Sequence, residues 1–193
     1  MSFFSAEGIS AGYDRHQILT DISFSLEAGT ITGILGANGC GKTTLLKAIC
    51  GILPHAGSCT LLGHSLEALS PRKLSGLVRY IPQRSGISMD ISLMDVVLMG
   101  FNPQLGLLER PGTAMKAAAE KALALVGLAG RAQENYQKLS EGQKQLCILA
   151  RTLSAPANLL LLDEPESALD FHFRYQMLGI LRRWVEAEQR GVL

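Results

Sequence analysis

The chain has little of what marks several large classes of protein. Its 193 residues carry no excess of either charge, since 18 Lys and Arg against 17 Asp and Glu leave a formal +1. A general basic surface of the kind that holds nucleic acid is therefore excluded. Only four cysteines occur (Cys40, Cys50, Cys59 and Cys147), and their mutual spacing fits no metal-ligand pattern. Free thiols of a reducing compartment are the expectation. The opening MSFFSAEGIS has neither the basic nor the apolar region of a signal peptide. No run approaches the roughly 20 apolar residues a membrane helix needs. Internal repeats, low-complexity tracts and flexible linkers are absent as well. What is present suits a folded chain: 47% hydrophobic and 18% charged residues argue against disorder. The length suits one ordinary domain, with room for a small satellite subdomain.

Strands and turns dominate the first third. Residues 21–27 (DISFSLE) alternate apolar and polar at the period of a half-buried strand. Residues 30–35 read as a second, mostly apolar strand that runs into a glycine-rich loop. A helix over 44–50 follows, closed by Gly51, and residues 59–62 read as another short strand. The middle turns helical. Ser70-Pro71 is a helix start, residues 78–82 a strand, and 92–99 a helix capped by Ser92 with Asp95 three residues on. Two prolines and several glycines make 102–112 a loop, and 114–126 is an alanine-rich helix stopped at Gly127. Ser140 opens another helix, whose Leu146, Leu149, Ala150 and Leu153 share one face. Leu159-Leu160-Leu161-Leu162 is the continuous apolar run of a strand buried on both faces in a parallel sheet. A last helix over 171–190 leads into Gly191-Val192-Leu193, the first step of a further strand.

Three motifs carry chemistry. Gly36-Ala37-Asn38-Gly39-Cys40-Gly41-Lys42-Thr43 matches G-x-x-x-x-G-K-[ST], after an apolar strand and before a helix that continues from Thr44. Such a loop curls so that successive N–H groups point at phosphate oxygens, and the helix adds the positive end of its dipole. Lys42 then reaches the outer phosphates, and the Thr43 hydroxyl ligates magnesium. The second motif is the apolar strand ending in Asp163-Glu164, which sets one carboxylate near the metal and the next beside an attacking water as general base. On their own, those acids could be solvated groups at a strand end. Leu139-Ser140-Glu141-Gly142-Gln143 is the third, and Ser140 with Gln143 makes a capping box at a helix start, a ready anion site.

With that third motif the chain resembles the ATP-binding cassette (ABC) family, whose hallmark is LSGGQ at this distance before LLLLDEP. The resemblance runs from about residue 3 to the end. It implies an α/β P-loop NTPase fold: a mixed-sheet core (1–83 and 156–193), an antiparallel β subdomain, and a helical subdomain over about 84–155 that bears the signature. It implies ATP and Mg2+ as ligands, with the metal held by Thr43, Gln83 and Asp163, and with Glu164, Lys42 and Gln83 as the catalytic set. Tyr13 is similar to the aromatic that stacks on adenine, although a turn tyrosine packing on its own hairpin fits the single match too. Gln83 resembles the glutamine that joins core to helical subdomain, against the alternative of a solvated loop residue. Ser140, Gly142 and Gln143 would act in trans on ATP held by a second, head-to-tail cassette, and Ser167-Ala168-Leu169-Asp170 resembles the segment that crosses to that partner. Two positions depart from the family pattern: Glu141 replaces a glycine and Glu166 a threonine.

The resemblance further implies a histidine that contacts the γ-phosphate at the end of the strand after the last helix. None of His16, His55, His64 and His172 stands there. The strand continuing beyond Leu193 is expected to lie between the one leading to Gly36 and the one ending at Asp163, so the chain reads as a cassette lacking its C-terminal part. Ser92-Leu93-Met94-Asp95-Val96-Val97-Leu98-Met99-Gly100 resembles bacterial importers of iron–siderophore, haem and cobalamin. Residues 83–101 become the expected dock for a membrane permease subunit, with the chain on the cytoplasmic face of the plasma membrane. A soluble cassette ATPase of DNA repair or translation is the alternative, disfavoured by the single cassette, the short insertion and the near-zero charge. A non-hydrolysing ATP-binding subunit is a further alternative, which Glu164 speaks against.

Overall fold

The alternating residues of the first third form a twisted antiparallel sheet, and the apolar run near the C-terminal end forms a parallel one. The computed structural model describes residues 2–14, 16–83, 86–106, 108–165, 170–186 and 189–193. Strands β1 (Phe4–Tyr13), β2 (His16–Leu26), β4 (His55–Leu61) and β5 (His64–Ser65) pair in the order β2-β1-β4-β5. Strands β3 (Thr30–Ile31), β6 (Val78–Ile81), β7 (Leu159–Leu162) and β8 (Gly191–Val192) form the second sheet in the order β3-β8-β7-β6. The pairs β3–β8 and β7–β8 are parallel.

The chain divides into two compact units. The first comprises Met1–Tyr80, Ala157–Asp163 and Arg182–Leu193. Its core joins Phe4 and Ile9 of β1, Leu61 of β4, Leu159 and Leu161 of β7, and Leu46 and Ile49 of helix α1 (Lys42–Ile49). It also includes the short helix α2 (Pro71–Leu74), which has Ser70 at its N-cap and Pro71 at its first position. The second unit comprises Ile81–Pro156 and Glu164–Leu181. Helices α3 (Leu93–Leu98), α4 (Thr113–Leu125) and α5 (Glu141–Leu153) pack together there, with Leu93, Leu123, Ile148 and Leu149 fully buried. Helix α6 (Phe171–Glu186) begins in this unit and ends in the first.

Two expectations need correction. The strand before the glycine loop is not six residues long: β3 ends at Ile31, and its ladder closes with the Thr32 N–H donating to Val192 O at 2.8 Å. Residues 102–112 are not wholly loop, because a 3-10 helix covers Met99–Gln104. The strand that begins at Gly191 lies where it is expected, with β8 between β3 and β7. Leu193 N–H donates to Leu160 O at 2.9 Å, and Leu162 N–H donates to Leu193 O at 2.8 Å, so β7 has its neighbour. Of the crossing segment 167–170, residues 167–169 lie outside the described residues, as does Glu166, whereas Asp170 accepts a bond from the Phe173 N–H at 3.0 Å.

Gly142 has a packing role in the second unit. It is buried in the first turn of α5, and a Cβ built on it would stand 2.4 Å from the ring of Phe173 on α6. Only a residue without a side chain lets the two helices approach this closely. Gly142→Ala is expected to lower the melting temperature, at a cost of about 1–3 kcal/mol for overpacking. The cost should shrink in a Phe173→Ala background, where the ring is gone. Thermal unfolding of both single variants and the double variant measures it.

Candidate functional site

The glycine loop needs its glycines for stereochemical reasons. Gly41 sits at φ 103° as the N-cap of α1, and a Cβ there would press on Leu19 at 2.8 Å. That conformation is costly for any residue with a side chain. The N-cap Gly41 has no side chain to cap α1, and the start of a helix is a place suited to an anion. Gly36, Ala37, Asn38, Gly39 and Cys40 are exposed along the loop. The Lys42 ammonium folds back over it and donates to Gly36 O at 3.0 Å and Ala37 O at 3.1 Å. Thr44, the third residue of α1, is buried.

Thr43 and Asp163 are 120 residues apart in sequence, yet the Thr43 hydroxyl donates to Asp163 Oδ1 at 2.8 Å. Asp163 follows β7 and is 5% exposed. Its other oxygen accepts from the Tyr80 hydroxyl at 2.9 Å. Burial, and then the bond to Asp163, push the Tyr80 hydroxyl's pKa well above its ordinary value, so it stays a donor. Tyr80 was not among the residues the motifs pointed to. Its only sequence signal is its place on a strand three residues before Gln83, and a tyrosine there reads equally as core. Tyr13 ends β1, is 41% exposed, and has the Lys47 ammonium of α1 6.0 Å from its ring centroid.

The second unit holds the other expected residues. Gln83 Nε2 donates to Glu164 Oε2 at 2.8 Å, although 81 residues separate them. Both side chains are exposed. Glu164 adopts φ 45°, in the left-handed region, a conformation costing on the order of 1 kcal/mol or more that tends to occur where function over-determines the backbone. At the start of α5 the capping box is complete. Ser140 Oγ accepts from the Gln143 N–H at 3.3 Å, and the Ser140 N–H donates to Gln143 Oε1 at 3.2 Å. The Glu141 carboxylate pairs with the Lys144 ammonium at 2.8 Å. The structure thus brings Thr43 to Asp163 and Gln83 to Glu164.

Residues 19–167 match the family model described as ABC transporter. Among curated relatives, the manganese transport system ATP-binding protein of Bacillus subtilis is 36% identical over 96% of this chain and 72% of its own length. The hemin import ATP-binding protein of Rhizobium leguminosarum is 37% identical over 93% of this chain and 70% of its own. The cobalamin import ATP-binding protein of Halobacterium salinarum is 35% identical over 92% of this chain, which spans only 44% of that relative. A solved structure described as a metal-chelate type ABC transporter, inward-facing, superposes with a TM-score of 0.84 at 29% identity, over 99% of this chain and 71% of that one. A nucleotide-free ATP-binding cassette from an ABC transporter reaches 0.86 at 21% identity, over 100% and 80% of the two chains, a likeness of fold. The family match takes in the glycine loop, the capped start of α5 and the strand ending at Asp163, and the chain belongs to the ABC transporter family.

Proposed function

We propose that this chain binds and hydrolyses ATP to energise import of a metal ion or metal chelate. The observation that carries the reading is the Thr43–Asp163 bond, which joins the loop lysine's neighbour to the carboxylate after β7. A hydroxyl and a carboxylate in contact are the hard oxygen donors that suit magnesium, and Thr43, Asp163 and Gln83 would hold it. Bound magnesium supplies charge neutralisation across the phosphates. Lys42 would exchange its bonds to the Gly36 and Ala37 carbonyls for phosphate oxygens. Tyr13 offers the adenine an exposed aromatic face. Gln83 orients the Glu164 carboxylate through its amide N–H, and Glu164 takes the proton from the attacking water.

The signature acts on a second copy's nucleotide in this reading. Ser140 Oγ uses a lone pair for the Gln143 N–H, and its own O–H is left to donate to a phosphate oxygen. Lys144 offsets the charge of Glu141, which gives the departure from the family glycine a physical account. The permease would dock on the second unit. Within the expected dock 83–101, Leu93, Val96, Val97, Leu98 and Phe101 are buried, and the exposed residues it offers include Gln83, Met89 and Asp95. No helix among the described residues is long and apolar enough to cross a membrane, consistent with a peripheral subunit on the cytoplasmic face. The relatives' transport systems for manganese, hemin and cobalamin support those cargo classes, and iron–siderophore is our finer assignment from the stretch 92–100.

Lys42→Ala is expected to remove most ATP affinity, as read by equilibrium binding of a fluorescent ATP analogue. Binding equal to wild type would overturn the assignment of the loop. Glu164→Gln should keep nucleotide binding and slow phosphate release by about 100- to 10,000-fold, the range for loss of a general base. Single-turnover hydrolysis measures that, and an unchanged rate would exclude Glu164 as the base.

A further inference from the structure

The antiparallel sheet of the first unit brings three chemically different ligand groups to one spot, and none of them belongs to the nucleotide site. His55 and Cys59 lie four residues apart on β4, and Glu67 follows β5. Leu62 and Gly63 join these strands at φ 51° and 78°, the paired positive values of a two-residue hairpin turn. Thr60 therefore faces Ser65, and Leu61 faces His64, which carries Glu67 back beside Cys59. The Cys59 N–H donates to Glu67 Oε1 at 2.6 Å, and the Ser65 hydroxyl donates to Oε2 at 2.8 Å. One ligand atom each of His55, Cys59 and Glu67 lies within 4.8 Å of the other two.

The imidazole shows which of its atoms faces the cluster. His55 Nδ1 is 3.1 Å from Ala56 O. A carbonyl oxygen only accepts, so Nδ1 carries the proton, and in neutral imidazole Nε2 presents a lone pair. Nε2 stands 3.7 Å from Glu67 Oε1, too far for a hydrogen bond: an ion pair when the imidazole is protonated, and one electron-rich atom facing another when it is neutral. A cation between them would satisfy both. Metal-bound histidines are typically oriented in this way, with the other ring nitrogen donating to a backbone carbonyl. The Glu67 carboxylate is likewise pre-oriented by its bonds from Cys59 and Ser65.

We infer that His55 Nε2, Cys59 Sγ and the Glu67 carboxylate form a three-ligand site for a zinc-like divalent cation, with water as the fourth ligand. Imidazole, thiolate and carboxylate together select this class over magnesium or calcium, which take oxygen alone. Bonds of about 2.0–2.3 Å set tetrahedral ligand atoms roughly 3.3–3.8 Å apart. The His55–Glu67 separation already lies in that range, and the widest separation closes by at most about 1.5 Å. Charge balances as well: on binding, the Cys59 thiol releases its proton to solvent, and one thiolate and one carboxylate neutralise the dication. Entry is over Glu67, whose side chain is 35% exposed, whereas that of His55 is 9% exposed and Cys59 is fully buried.

Cobalt(II) is the probe, titrated into the nucleotide-free chain. One equivalent should bind with a thiolate-to-cobalt charge-transfer band in the near ultraviolet and tetrahedral-type visible bands, be displaced by zinc, and raise the melting temperature. Cys59→Ala should abolish the charge-transfer band. His55→Gln and Glu67→Gln should each weaken binding by at least about 10-fold, the lower bound for losing even an outer-shell partner. Cys40→Ser, which removes the exposed thiol, should leave the band intact. The site is overturned if wild type gives no band, if the band survives Cys59→Ala, or if it disappears in Cys40→Ser. Should Cys59→Ala fail to fold, His55→Gln decides: cobalt affinity equal to wild type overturns the site.

Discussion

The Asp163 carboxylate is almost wholly removed from water, and two hydroxyls answer it, one from Thr43 at the head of α1 and one from Tyr80 on β6. A charge in that position is costly unless hydrogen-bonded. Its two partners come from parts of the chain 120 and 83 residues away. The glycine loop is therefore anchored through the second residue of α1 to the strand that ends at Asp163, and β6 is held to the same carboxylate. Whatever binds the loop is placed relative to β7 by this one group.

Much of this was legible from residues alone, because each motif has a local physical cause. The capping box at Ser140, the Ser92 cap, the Leu159–Leu162 strand and the helix after Gly41 all came out near their expected places. Local hydrogen bonding or an unbroken apolar run specifies each of them. The misses depend on distant chain. Residues 30–35 look like a strand, and the structure pairs Thr30 and Ile31 of it with β8. The role of Tyr80 was hidden, since nothing near it in sequence reveals that its hydroxyl meets Asp163. The His55–Cys59–Glu67 cluster was invisible for a similar reason: a search for cysteine spacings passes over a site in which one cysteine joins a histidine on its own strand and a carboxylate across a hairpin.

The signature segment shows two causes acting on one residue type. A glycine at 142 suits a phosphate-binding helix start, yet the ring of Phe173 excludes a side chain there in any case. Glu141, one position earlier, is free to vary, because its side chain points to solvent and pairs with Lys144. Packing within the second unit thus calls for glycine at 142 and accommodates a side chain at 141.

The backbone of Glu164 has a bearing on how this chain could be engineered. Its left-handed conformation is one that glycine adopts at no steric cost and asparagine at little, so the carboxylate is held at that point against conformational preference. A thermostability screen run without a functional readout would reward replacement at this position, and consensus-blind stabilisation would drift toward a sturdier fold stripped of its proposed base. With Glu164 in the proposed role, stability and turnover are set against each other at a single dihedral angle, the kind of trade-off by which natural proteins stop short of their stability optimum.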